Sequence, residues 1–118
     1  MTSNGALRTK SFEFALRVVK LYRHLCYEKN EYLLSNELIR SCTALGALVR
    51  EAEQAESKAD FVHKLAIALK EANETEYWIE LLHQSDFIDE KGFNSLIADL
   101  KQLLKLLTAI ILKVKQSL

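Results

Sequence analysis

The spacing of apolar residues along the chain predicts four helices. In four stretches, apolar side chains recur at steps of three and four residues, which is the period of a helix that buries one face. These stretches cover about 11–28, 35–54, 57–83 and 89–115. Because the connections between them are short, neighbouring helices are expected to run antiparallel. The pattern therefore predicts an all-α protein with the architecture of an antiparallel up-down-up-down four-helix bundle.

Polar residues at the predicted helix starts support these boundaries. Ser11, Ser57 and Asp89 each precede an apolar-periodic stretch, and their side chains can accept hydrogen bonds from the free N–H groups of a first helical turn. For the second helix, Ser35 and Asn36 are alternative caps. The sequence leaves the choice between these two residues open.

Composition agrees with a single helical domain. The 118 residues include three glycines and no proline, so few residues that interrupt helices are present. A chain of this length builds one core. We predict one domain over 1–118, in which residues 1–10 are a flexible N-terminal segment. Sixteen basic residues balance sixteen acidic ones, so no overall field attracts nucleic acid or a membrane.

The cysteines and the apolar runs bear on the compartment. Cys26 and Cys42 both lie in apolar-periodic stretches, where they are expected to be reduced and buried. The first residues of the chain lack the apolar core of a signal peptide. The most apolar run, 103–112, contains Lys105 and is too short to cross a bilayer. We therefore predict a cytoplasmic protein that contacts no membrane.

Two of the predicted helices carry more contact surface than a monomer needs. The fourth is apolar around most of its circumference, whereas a surface helix normally has a single apolar stripe. The second has small residues between two opposite charges on the side away from its core stripe, where another helix could approach closely. The alternative is an exposed, alanine-rich helix face. The residues of the predicted oligomer interface are Arg40, Ala44, Ala47, Glu51, Glu74 and Trp78.

The third helix contains one pattern that resembles a metal site. Glu80 and His83 form a Glu-x-x-His, but di-metal bundles use this pattern on two helices and add a glutamate from each of the other two. Glu71, Glu74 and Glu76 point in different directions around the helix, so they do not converge. The sequence also lacks a glycine-rich phosphate loop and a GxSxG elbow. We predict no catalytic residue, no cofactor and no metal. A metal enzyme that uses Glu74, Glu80 and His83 is the least favoured hypothesis.

The stretch 38–82 closely resembles a known family, the four-helix-bundle proteins. Its members include proteins encoded in intervening sequences of bacterial 23S rRNA genes, formerly labelled ribosomal proteins, and it is similar to the accessory proteins of diversity-generating retroelements. The first and fourth helices match only in length and apolar spacing. The matching residues are Arg40-Ser41, Gly46-Ala47 with Glu51-Ala52, Ser57-Lys58 with Asp60-Phe61, and Ala68-Leu69-Lys70-Glu71-Ala72 with Glu74-Thr75 and Tyr77-Trp78.

The resemblance implies a homo-oligomer, since known relatives form pentameric barrels. In the retroelement relatives, basic surfaces engage a reverse transcriptase and nucleic acid, and this chain differs from them in its net charge of zero. The leading hypothesis is a non-enzymatic, pentameric scaffold or binding protein whose partner is RNA, an RNA–protein complex or another protein. The alternative is an RNA-binding accessory protein that uses cations of the first and fourth helices. These cations are Arg17, Lys20, Arg23, Lys101 and Lys105.

Overall fold

The computed structural model describes residues 2–118, and the side chains of residues 5–118. This part of the chain folds into four helices and no strand, which confirms the predicted all-α class. The helices are α1 (Thr2–Tyr27), α2 (Leu33–Ala52), α3 (Lys58–Gln84) and α4 (Glu90–Lys115).

Contacts between the helices show that neighbours run in opposite directions. Ser41 of α2 meets Thr75 of α3, whereas Glu51, ten residues later in α2, meets Lys64, which lies earlier in α3. The same reversal relates the other three neighbouring pairs of helices. Each helix packs along two others, and within residues 2–118 the backbones of the diagonal pairs α1–α3 and α2–α4 do not approach each other closely. The result is a four-helix bundle of square cross-section.

Apolar side chains from all four helices fill the centre of this bundle. Val18, Leu45, Ile79 and Leu100 are fully buried, one on each helix, and all lie on the core stripes of their helices. Burying an aliphatic side chain of this size contributes about 1.5–3 kcal/mol to folding. The core therefore follows directly from the helical period of the sequence.

Two of the predicted helix caps are present. The side chain of Ser57 accepts a hydrogen bond from the backbone N–H of Asp60 at 3.0 Å. At the start of α4, the Asp89 side chain accepts one from the backbone N–H of Gly92 at 2.7 Å. Both caps hold an N–H group that has no partner within its own helix.

The predicted start of α1 at Ser11 is wrong. This helix begins at Thr2, and Ser11 is a buried residue inside it, whose hydroxyl donates to the carbonyl of Arg8 at 3.1 Å. Residues 5–10, predicted to be flexible, are helical. The reason is Leu7, which lies two helical turns before Phe14 and extends the buried stripe of α1, with only 2% of its surface exposed. Met1, also part of the predicted flexible segment, lies outside the described residues.

The predicted caps of α2 are wrong as well. The helix begins at Leu33, and Glu31 caps it by accepting hydrogen bonds from the backbone N–H groups of Leu34 at 3.1 Å and Ser35 at 2.8 Å. Burial by itself would raise the pKa of Glu31, but the hydrogen bonds from Ser35 and from the backbone outweigh it and lower the pKa. Glu31, which precedes the helix and has a longer side chain, thus caps α2 in place of Ser35 or Asn36.

Candidate interaction surfaces

An exposed apolar stripe runs along α1. Phe12, Leu16 and Val19 lie on one side of this helix at intervals of four and three residues, and 52%, 47% and 38% of their respective surfaces are exposed. Beside the stripe is a groove of about 250 Å³ between α1 and α2, in which the Arg50 guanidinium stacks over the Phe12 ring at 5.4 Å. We call this surface the α1/α2 face. Its residues are Phe12, Leu16 and Val19 of α1 with Gly46, Ala47 and Arg50 of α2.

Gly46 leaves open space in the floor of this groove. A Cβ atom added to this glycine would have no heavy atom within 4 Å, so packing inside the described chain does not require a glycine there. Glycine inside a helix costs about 1 kcal/mol relative to alanine. The described chain shows no contact at this position that offsets this cost.

A second surface lies between α2 and α3, centred on Arg40. This side chain donates to Glu37 at 2.9 Å, hydrogen-bonds to Glu74 and lies 3.6 Å from a carboxylate oxygen of Glu71. The Trp78 indole N–H also donates to Glu74, at 3.0 Å. We call this surface the α2/α3 face. Its residues are Glu37 and Arg40 of α2 with Glu71, Glu74, Tyr77 and Trp78 of α3.

The α2/α3 face carries more negative than positive charge. One guanidinium faces three carboxylates, and the hydrogen bond to Glu37, with the nearby carboxylate of Glu71, raises the pKa of Arg40. The Oε1 atom of Glu71 is buried and accepts no hydrogen bond within the described part of the chain. Tyr77 is 53% exposed and packs edge-on against Trp78, with ring centroids 4.9 Å apart. The face therefore combines an aromatic surface with carboxylates that a further cation could pair.

The structure divides the predicted interface between these two faces. Arg40 and Trp78 both hydrogen-bond to Glu74 on the α2/α3 face, whereas Ala47 lines the groove of the α1/α2 face. The other two members of the predicted set are Ala44 and Glu51. Ala44 is half-buried, and Glu51 pairs with Lys64 at 3.7 Å. The Arg40–Glu74 pair is thus formed between helices of one chain.

The expected surplus of apolar surface is found on α1 rather than on α4. Four α4 side chains outside its buried stripe, Ile97, Leu104, Leu106 and Val114, pack against the core, and among large apolar residues of this helix Leu112 is exposed. The signal for the α1 stripe was present in the sequence, because Phe12 and Leu16 lie on a different side of the helix from Phe14 and Val18.

The cations of α1 and α4 differ in their surroundings. Arg17 pairs with Asp99 and donates to the Ser95 hydroxyl at 2.9 Å, and Lys101 lies 2.8 Å from Glu76. The hydrogen bond with Glu76 raises the pKa of Lys101. The remaining three predicted nucleic-acid contacts are exposed and form no ion pair with any described residue. These are Lys20, Arg23 and Lys105.

The residues of the Glu-x-x-His pattern have separate surroundings. His83 lies 2.9 Å from Glu90 and stacks on Phe93, with centroids 4.0 Å apart, while Glu80 is exposed and Glu74 faces α2. Across residues 2–118, no group of three or more His, Cys, Asp and Glu side chains is placed to hold a metal ion.

A cavity of about 630 Å³ lies between α1 and the connection from α3 to α4, and no pattern in the sequence predicts it. Its polar lining includes Arg17 and His83, which already pair with Asp99 and Glu90, respectively. In the part of the chain described, no helix is long and apolar enough to cross a membrane.

Comparison with known proteins decides the family. The profile of the family described as 23S rRNA-intervening sequence protein matches residues 6–109. The chain belongs to this family. No protein with a curated functional description matches the chain.

A solved structure is also highly similar to this chain. It is the crystal structure of a protein of unknown function from the S23 ribosomal protein family of Bacteroides thetaiotaomicron, with 49% sequence identity and a TM-score of 0.91. The match covers 92% of this chain and 97% of that one. The similarity therefore extends well beyond 38–82 and includes most of α1 and α4.

Proposed function

We propose that the protein is a non-enzymatic, homo-oligomeric scaffold or binding protein, and that it forms a pentamer. The observation that carries this proposal is the α1/α2 face, where Phe12, Leu16 and Val19 remain exposed beside an open groove. Contiguous exposed apolar surface of this kind is typical of protein contact sites. Membership of the 23S rRNA-intervening sequence family supports a partner that is RNA, an RNA–protein complex or another protein.

The proposed interface contains both faces. Ala47 and the open space at Gly46 would allow a helix to approach α2 closely, as small residues do at tightly packed helix pairs. On the α2/α3 face, Arg40, Glu74 and Trp78 would be covered by the neighbouring copy, with Ala44 and Glu51 at the edges. Burial would strengthen the electrostatic contacts among these groups, because the dielectric constant falls when water is excluded.

Light scattering coupled to size-exclusion chromatography tests this proposal. The wild-type protein should have a mass several times that of the 13.5 kDa chain. Ala47→Arg fills the groove and should reduce the mass to that of a monomer while circular dichroism shows unchanged helicity. The matched control is Ala98→Arg, which places the same side chain at an exposed position of α4. A wild-type monomer at micromolar concentration would disprove the proposal.

RNA binding through basic surfaces is the second candidate function. It is favoured by Lys20, Arg23 and Lys105, which are exposed and carry no carboxylate partner among the described residues. Arg17 and Lys101 support it less, because Asp99 and Glu76 neutralise them.

Fluorescence anisotropy with a structured RNA tests this candidate. Binding should weaken steeply as salt rises, since lysine contacts to phosphates release counterions. Lys105→Gln should weaken binding more than Lys101→Gln does, because the Lys101 charge is already paired. Equal effects of the two changes, or no binding at low salt, would count against a role for these cations.

A further inference from the structure

The two faces carry opposite charges. On the α1/α2 face, Arg50 is exposed over Phe12, and Arg23 continues the line of Leu16 and Val19 at the helical spacing. Arg23 forms no ion pair with any residue that the structure describes. The α2/α3 face, in contrast, leaves two carboxylates beyond what Arg40 neutralises. A chain that carries both faces is complementary to a second copy of itself.

The Arg23 guanidinium and the carboxylates of the α2/α3 face also lie at similar positions along the bundle axis. The Tyr22 hydroxyl bonds to the side chain of Asn36 at 2.7 Å, so α1 near Arg23 is level with α2 near Glu37. Long side chains on a helix lean towards its N-terminus, and in this antiparallel pair that lean carries the Arg23 guanidinium towards the level of Arg40. In a ring whose axis runs along the helices, neighbouring copies meet at equal height. Arg23 of one copy therefore lies beside the acidic cluster of the next copy, which consists of Glu37, Glu71 and Glu74.

The positions of the faces favour a closed ring over a filament. Helix α2 takes part in both faces, with Ala47 and Arg50 on the side of α1, and Glu37 on the side of α3. The two faces thus lie on adjacent sides of a square bundle rather than on opposite ones. Each added copy therefore turns relative to the one before it, and a head-to-tail assembly forms a ring where these rotations close on the first copy.

We propose that copies of this chain associate head to tail, with the α1/α2 face of one copy on the α2/α3 face of the next. Phe12, Leu16 and Val19 cover Tyr77 and Trp78 of the next copy. Arg23 enters the acidic cluster there and pairs with Glu37, Glu71 and Glu74 of the next copy. This inference rests on the proposed function, and it assigns the two complementary surfaces and the residue that each copy contributes to its neighbour.

Mixing two variants, each with one face disabled, tests the head-to-tail arrangement. Leu16→Arg with Ala47→Arg disables the α1/α2 face, and Glu37→Arg disables the α2/α3 face. The altered α1/α2 face gains two cations, and Glu37→Arg removes the net negative charge of the α2/α3 face, so the two altered faces no longer attract each other. Each variant alone should be a monomer, because every contact needs both faces. An equimolar mixture should give a dimer of twice the monomer mass and nothing larger, since only one intact pair of faces remains.

The outcomes of the mixing experiment separate the two proposals. Monomers in the mixture would overturn the head-to-tail arrangement, because the two intact faces would then fail to bind each other. One variant that still self-associates alone would overturn it as well, because that result shows that the interface uses one face against itself. Variants that retain the wild-type mass would show that the faces are wrongly assigned, and self-association itself would stand. A wild-type monomer would overturn both proposals and leave the apolar stripe to a different partner.

A charge exchange tests the role of Arg23. Arg23→Glu should raise the dissociation constant of self-association by about tenfold or more, because an acidic side chain then faces the acidic cluster. Adding Glu37→Arg in the same chain should restore at least part of the affinity. The matched control is Lys20→Glu, which makes the same charge change at an exposed position of α1 beside the stripe. An equal effect of the control, or no rescue, would overturn the assignment of Arg23.

Discussion

The hydroxyl oxygens of Ser41 and Thr75 lie 2.9 Å apart in the middle of the contact between α2 and α3, and neither residue is exposed to solvent. Ser41 also lies 3.2 Å from the carbonyl of Leu38, and Thr75 lies 2.8 Å from that of Glu71. Both hydroxyls are therefore satisfied inside an otherwise apolar core. A polar pair of this kind favours one register of the two helices, because any other register would bury an unpaired hydroxyl.

Removing one member of this pair should destabilise the bundle. Thr75→Val keeps the shape of the side chain and removes its hydroxyl, so the free energy of unfolding should fall by about 1 kcal/mol. The double change Ser41→Ala with Thr75→Val should cost less than the sum of the single changes, since it leaves no hydroxyl without its partner. Urea denaturation of the four proteins of this cycle measures the coupling. Strict additivity would mean that the two hydroxyls do not interact.

Leu7 should contribute to stability although it lies in the segment that the sequence predicted to be flexible. Leu7→Ala removes a side chain that is 2% exposed, and such truncations cost about 2–5 kcal/mol of unfolding free energy. The exposed neighbour Thr9 supplies the control, because Thr9→Ala removes no buried group. Thermal unfolding followed by circular dichroism compares the two variants. Equal melting temperatures would show that the first turns of α1 do not pack on the core.

Stability should depend on pH through Glu31. Its pKa is lower in the folded protein than in the unfolded chain, so its contribution is present above the unfolded pKa and is lost as the pH falls through the folded pKa. Glu31→Gln should therefore destabilise the protein at neutral pH and flatten the fall in stability below about pH 4.5. Urea unfolding at several pH values measures this slope. Glu13→Gln, which removes a carboxylate at an exposed position of α1, is the control.

Gly46 should separate the stability of the monomer from that of the assembly. Gly46→Ala should stabilise the isolated bundle by up to about 1 kcal/mol, because alanine favours the helix and the added Cβ meets open space. The same change narrows the groove and should weaken self-association. Denaturation at low protein concentration and light scattering across a dilution series measure the two effects. Stronger association in the variant would place the interface away from this groove.

The sequence by itself determined the elements and most of the core. The caps Ser57 and Asp89, the helical period of the apolar residues and the short connections depend on local geometry, which the order of residues specifies directly. For this reason the four-helix class, three of the four helix starts to within a few residues and the buried stripe through Ile79 could be predicted. The same local rules failed at Ser11, because a helix continues through a possible cap wherever its next turn can still bury a residue such as Leu7.

Only the tertiary structure decided which surfaces remain free. An apolar or charged side chain outside a core stripe is covered or exposed according to which helix lies beside it, and that depends on the packing of all four. Leu104 and Leu106 looked surplus in the sequence, yet they pack on the core, whereas Leu16 remains exposed on α1. Arg40 likewise pairs with Glu71 and Glu74 of α3, and the spacing of residues within one helix does not specify a contact between two helices.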